Sequence, residues 1–138
     1  MISTTIDLRV RYAETDQMGI VYHGNYFPWF EMARVDMLDH VGLPYAEIEA
    51  EGLMLPVLAC EARFRASARF DDRLSIQATM PEMPRVRFHV EYKVFRAETL
   101  LATGRTEHAF MTPNGRPARP PERFLQALAP YFAGEETG

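Results

Sequence analysis

Between Tyr12 and Phe27 the chain reads Tyr-Ala-Glu-Thr-Asp16-Gln-Met-Gly19-Ile-Val-Tyr22-His23-Gly-Asn25-Tyr-Phe. One acidic side chain, Asp16, and one histidine, His23, stand in a Gly-marked loop just before a strongly apolar segment that predicts a helix. A helix start carries unsatisfied N–H groups and about half a positive elementary charge. A carboxylate held there faces a ready site for a developing oxyanion, the pairing that attack on a carbonyl needs. A carboxylate is ionised at neutral pH, so it serves as nucleophile or general base rather than as a proton donor.

Each candidate residue has a plainer explanation beside the chemical one. Asp16 also fits a turn aspartate bonded to nearby backbone. Gly19 favours the chemical reading, because glycine lets backbone approach a ligand closely. His23 is a pre-helix histidine satisfied by local backbone, a contact to a leaving group, or a backbone N–H donor to an oxyanion. Glu31, in the second turn of the helix, lies either at an exposed edge or over a pocket. Tyr12 ends the first strand, where a structural role is the default. Arg63, Arg65 and Arg69, with Arg85 and Arg87, concentrate positive charge. On a sheet such side chains are solvated or pair across strands with Glu61 or Glu91. Arg85 differs, since a loop arginine beside Pro84 can clamp a phosphate with its fork of donors.

Other chemistries lack their residues. His23, His40, His89 and His108 have no metal-ligand spacing, so no metal is expected. No Gly-x-Ser-x-Gly elbow and no Gly-x-x-x-x-Gly-Lys-Ser/Thr loop is present, which sets aside serine-hydrolase and P-loop mechanisms.

The elements that position the loop follow from periodicity. Ile6, Leu8, Val10 and Tyr12 alternate with Asp7, Arg9 and Arg11, as in a half-buried strand. A helix is predicted over residues 25–41, with Asn25 as N-cap and Pro28 tolerated in the first turn. Its apolar residues, from Tyr26 to Val41, cover most of the circumference and leave only Asp36, Asp39 and His40 as a polar edge. Such a helix should be central and wrapped by other structure. Gly42 and Pro44 end it, and a short helical turn is expected near residues 45–51. From there to Thr112 the period is two, giving four strands. The breaks Phe70-Asp-Asp-Arg73, Pro81-Glu-Met-Pro84 and Arg96-Ala-Glu-Thr99 are too short for parallel crossovers, which favours antiparallel neighbours. Pro120-Pro121 introduces a last helix ending near Phe132. The expected organisation is one domain over residues 1–133 and a frayed tail over 134–138, with an α+β fold of antiparallel sheet around a long helix.

Composition bounds the partners. The chain has 138 residues, 47% hydrophobic and 25% charged, with a formal net charge of −4. That balance suits a globular domain and argues against a general nucleic-acid partner. No apolar run nears the ~18 residues of a membrane span. The N-terminus lacks the pattern of a signal peptide. Cys60, the one cysteine, lies among Leu58, Ala62 and Phe64 and reads as a buried thiol. These features together predict a cytoplasmic protein.

Tyr12-x3-Asp16-x2-Gly19-Ile-Val-Tyr-His23-Gly-Asn25-Tyr-Phe, followed by Phe30-Glu31-x2-Arg34, resembles the signature of the hot-dog-fold acyl-CoA thioesterases. The closest group is the 4-hydroxybenzoyl-CoA thioesterase family, with the Tol-Pal-associated acyl-CoA thioesterases. The resemblance continues through Gly42-Leu-Pro44, Pro56-Val57, Asp71-Asp72 and Ala102-Thr-Gly104 and spans roughly residues 5–125. It implies a hot-dog fold and a homo-oligomer, a dimer or a homotetramer built as a dimer of dimers, with active sites at the dimer interface. Asp16 would attack the thioester carbonyl or activate water, and the His23 N–H would polarise the carbonyl oxygen. Tyr12, Gly19, Tyr22, Glu31 and Arg85 would contact the substrate. Coenzyme A would be part of the substrate, and no separate cofactor is implied. Pro84-Arg85-Val86-Arg87 is sparser in basic residues than the cluster of some aromatic-CoA members, and Tyr22-His23 resembles the general acyl-CoA branch. Two other functions are carried on this fold. One is thioester hydration or dehydration, which needs a histidine base with an acidic partner. The other is a non-catalytic acyl-CoA-binding module.

Overall fold

A computed structural model describes residues 1–134. The expected tail beyond Gly134 lies outside the described residues. Alternating side chains form β1 (Ile2–Arg9), β2 (Val57–Phe64), β3 (Arg73–Met80), β4 (Arg87–Arg96) and β5 (Thr99–Ala109). Helices α1 (Tyr26–His40), α2 (Tyr45–Ala50) and α3 (Glu122–Phe132) complete the fold, with short 3-10 turns at Tyr12–Glu14 and His23–Asn25. β1 therefore stops earlier than predicted. Tyr12 opens a turn instead of ending the strand, because the buried Val10 already exchanges hydrogen bonds with Asp71 and Asp72.

The sheet is antiparallel throughout, in the order β1-β3-β4-β5-β2. The short breaks after β3 and β4 make the predicted hairpins. The break before β3 does not. β2 pairs with β5 at the far edge, so the chain must cross three strand spacings, about 14 Å at ~4.8 Å each, before β3 begins. Residues 65–72 are long enough to make that crossing. The Asp71-Asp72 pair, which reads as a hairpin signal, instead ties the end of the crossing to β1.

Helix α1 lies on one face of the sheet. It buries Tyr26, Trp29, Phe30, Ala33, Met37 and Leu38, a stripe at helical spacing. Phe30 stacks on Tyr92 of β4 at 4.4 Å between centroids. Gly104 of β5 lets the ring approach, since a Cβ there would sit 2.5 Å from Phe30 Cζ. Burying Phe30 in this way stabilises the fold by roughly 2–3 kcal/mol. The opposite face of α1 is uncovered: Glu31, Met32, Asp36 and Asp39 are exposed. The sheet thus wraps α1 from one side, and the exposed edge is wider than the expected Asp36, Asp39 and His40 by Glu31 and Met32.

At the helix ends one cap matches and one differs. Gly42 adopts φ +82° and closes the C-terminus, with Gly42 N–H donating to Asp39 and Leu43 N–H to Leu38. Asn25 makes no side-chain cap; its amide donates to the Glu14 carbonyl at 2.7 Å.

β2 also departs from expectation. Its side chains are exposed along almost the whole strand, including Cys60, so the thiol is not buried within this chain. Ala62 pairs with Gly104, which faces Phe30, so Cys60, Ala62 and Phe64 share the helix side. α1 meets this strand at its end, where Tyr26 packs on Phe64, and a register shift between Val57 and Ala59 interrupts the alternation at Leu58.

Inside the sheet–helix layer runs a short polar chain. Arg34 of α1 donates to Tyr92 Oη at 3.1 Å, Tyr92 Oη and Thr106 Oγ1 are 2.7 Å apart, and Thr106 Oγ1 is 2.7 Å from His108 Nε2. His108 is fully buried, and its Nδ1 makes no well-formed hydrogen bond among the described residues. Burial first, then the neighbouring Arg34 charge, hold its pKa down at about 4, against weak opposition from the Leu55 and Pro56 backbone.

Candidate active site

The loop between β1 and α1 is built by backbone pairing at its base. Tyr22 N–H donates to the Glu14 carbonyl at 2.9 Å, and Thr15 forms a bridge with Val21. The chain between them closes on Gly19, whose φ of +77° no ordinary side chain adopts without strain. Asp16 N–H donates to Ile20, and Gly19 N–H to the Asp16 carbonyl. Asp16 Oδ1 accepts the Met18 N–H at 2.9 Å. The turn reading of Asp16 therefore holds: it closes an aspartate turn through one oxygen, and that turn fixes the direction of the half-buried carboxylate.

His23 begins the 3-10 turn that leads into α1. The N–H groups of His23 and Gly24, the first two of that turn, make no backbone hydrogen bond among the described residues. They are the donors a helix start leaves open. The His23 ring packs on Tyr22 at 4.4 Å and edges toward Phe64 at 6.5 Å, both centroid distances.

Asp16 and His23 line one cleft of about 270 Å³, together with Met18, Ile20, Val21, Tyr26, Phe64, Arg65, Ala66 and Ser67. Its apolar wall is Tyr26 with Phe64, 4.9 Å apart in an edge-to-face contact. The crossing segment after β2 forms the other wall. Val21 N–H donates to the Ala68 carbonyl at 2.8 Å, which ties that segment to the loop. A carboxylate, open N–H donors and an apolar wall in one cleft suit attack on a polarised carbonyl attached to an apolar group.

The remaining predicted residues lie elsewhere in this chain. Gly19 and Tyr22 adjoin the cleft through the loop itself. Tyr12 is 75% exposed and packs edge-on against Phe70 at 5.4 Å. Glu31 is on the exposed face of α1. Arg85 is in the β3–β4 loop, beyond the end of β3 opposite to the Asp16 loop, and so does not meet Asp16 within one chain. The arginine at the cleft is Arg65. The side chains of Arg63, Arg65 and Arg87 make no ion pair with Glu61 or Glu91; Arg105 pairs with Glu107 at 3.0 Å.

Sequence reading missed Glu14. It is 8% exposed, and its carboxylate accepts the Arg11 N–H at 2.8 Å and the Trp29 indole N–H at 2.8 Å. Burial alone would raise its pKa, but these hydrogen bonds and the Arg11 guanidinium at 3.5 Å outweigh burial and hold it below the usual carboxylate range. The available signal was a second acid two residues before Asp16, with a tryptophan entering the helix.

Residues 10–128 match the family model described as the Thioesterase-like superfamily. A solved structure of hypothetical protein TT1821 from Thermus thermophilus is 41% identical, with 91% of this chain and 96% of that chain covered and a TM-score of 0.86. The DHNA-CoA thioesterase from Staphylococcus aureus is 30% identical, with 96% and 93% covered and a TM-score of 0.91. The acyl-CoA thioester hydrolase YbgC of Escherichia coli O157:H7 is 33% identical over 94 residues, covering 68% of this chain and 70% of that protein.

Proposed function

The chain belongs to the Thioesterase-like superfamily, and from that premise we propose that it hydrolyses an acyl-CoA thioester to a free carboxylic acid and coenzyme A. The observation that carries the reading is the shared cleft of Asp16 and the open N–H groups at His23. The thioester carbonyl oxygen accepts the N–H groups of the turn at His23, and the negative charge that develops there is met by the helix start. Asp16 either attacks the carbonyl carbon or takes a proton from a water that does. In both routes the C–S bond breaks and the coenzyme A thiolate departs, a leaving group good enough to need no serine or metal. In the first route, water then cleaves the acyl–Asp16 anhydride. The His23 ring and Tyr22 flank the departing sulfur, and Arg65 at the cleft supports an anionic carrier. No cofactor beyond the substrate's own coenzyme A is invoked.

The protein acts as a homo-oligomer in this reading, a dimer or a dimer of dimers assembled along β2. An edge strand with exposed Val57, Leu58 and Phe64 is a liability when left unpaired. Glu31 and Arg85, outside the cleft of their own chain, then serve a neighbouring subunit's substrate. The described residues contain no helix long and apolar enough to cross a membrane. We assign the reaction to the cytoplasm, where acyl-CoA is handled and where the exposed Cys60 would stay reduced.

The test is release of free thiol from a panel of short, long and aryl acyl-CoAs. Hydrolysis of at least one class is expected. Hydration of crotonyl-CoA without thiol release would overturn the proposal in favour of a hydratase, and binding without turnover would reduce the protein to a binding module.

A further inference from the structure

We propose that Glu14 is a positioning residue for the reaction: it locks the Asp16 turn and the His23 helix start into one rigid unit. The inference rests on the reading of Asp16 as the reacting carboxylate. Glu14 reaches both halves of the site through different atoms. Its side chain holds the Arg11 N–H at 2.8 Å on the strand side and the Trp29 indole at 2.8 Å on the helix side. Its carbonyl accepts the Tyr22 N–H at 2.9 Å and the Asn25 amide at 2.7 Å, the residues on either side of His23 and Gly24. Asp16 follows two residues later, so the carboxylate and the donors it must face share a single anchor.

The anchor is stiff for physical reasons. A buried carboxylate that loses a partner is left with an uncompensated charge, which makes any opening of the loop costly. Trp29 is 2% exposed and packs on Tyr26 at 4.8 Å, so the indole donor cannot follow a loop that drifts. Tyr26 is itself a wall of the cleft. The group needs its charge for hydrogen bonding and not for the chemistry, since it does not line the cleft.

Glu14→Gln keeps the shape but sets an amide donor against one of the two N–H groups. A displacement of about 1 Å at a reacting group costs up to ~10²-fold in rate. For folded Glu14→Gln protein, kcat is expected to fall by about 10- to 100-fold, with KM within about two-fold and the acid limb of the pH profile unmoved. Trp29→Phe, which removes only the indole donor, should lower kcat similarly, and the double variant should be no slower than the slower single one. Should Glu14→Gln fail to fold, Trp29→Phe carries the test alone. Wild-type kcat in folded Glu14→Gln or Trp29→Phe protein would overturn the proposal. So would disappearance of the acid limb in Glu14→Gln, which would make Glu14 itself the titrating base. Asp16→Asn, assayed in parallel, separates the two ideas: if it stays active the reading of Asp16 is at fault, and if it alone is inactive only the role of Glu14 is lost.

Discussion

Asp16 is a turn residue whose proposed role is that of a reagent. Its Oδ1 is engaged by Met18 N–H, so the rest of the carboxylate is aimed by the same bond that closes the turn. Asp16→Asn keeps that turn and removes the charge. Turnover is expected to drop by about 10³-fold, typical of losing a central catalytic group, with thiol release as the measurement. His108 makes a separate prediction about stability. In the folded protein it stays neutral down to about pH 4, whereas in the unfolded chain it takes up a proton near its ordinary value of 6.5. The unfolded state thus binds more protons between those values, and stability falls as pH drops through that window, by on the order of 3 kcal/mol at the acid end. Urea midpoints measured from pH 7 to pH 4 should decline, and His108→Gln should flatten the decline. At this scale Asp16, Gly19 and His23 were legible, because their types and spacing already specify a turn before a helix. Glu14 was not, since a buried acid is distinguished from a solvated one only by the tertiary partners that surround it, here Arg11 and Trp29.

Helices and strands were legible wherever one chain completes their burial. The alternation in β3 and β4, the apolar stripe of α1 and the glycine stop at Gly42 all reflect local rules that the fold obeys. Two features escaped those rules. The place of β2 beside β5 is a matter of topology, which alternation does not encode, and the Asp71-Asp72 pair imitated a hairpin signal. The close approach of α1 to the sheet also depends on a partner far along the chain. Gly104 admits the edge of the Phe30 ring, and the face of that ring stacks on Tyr92, the cross-strand partner of Gly104, so the ring is held by both. Gly104→Ala should destabilise the protein by about 1–3 kcal/mol, read as a lower melting temperature. Adding Phe30→Leu should recover part of that loss. If Gly104→Ala melts like the wild type, the contact is looser than described.

For the whole molecule, the family signature made the sheet-on-helix architecture legible, and the match over residues 10–128 agrees with it. Assembly rests on the proposal alone, because an exposed β2 and a buried one would have the same alternating sequence. Leu58 and Phe64 are 40% and 49% exposed on a strand whose outer edge is unpaired. Leu58→Lys puts a charge on that exposed edge strand and, if the proposed assembly is right, should shift the species seen in light scattering toward a single chain, leaving the far-ultraviolet circular dichroism unchanged. An unchanged oligomer mass would overturn association along β2, and a single-chain mass in the wild type would overturn the proposed oligomer itself.

Phe64, the last residue of the edge strand, runs without interruption into Arg65, Ala66 and Ser67, which wall the cleft. Two subunits that zip together along this strand would also brace the wall against which substrate reacts. Dilution would then act as a slow off-switch: as partners separate, each protomer keeps its carboxylate but loses the support behind it, and output per chain declines with concentration.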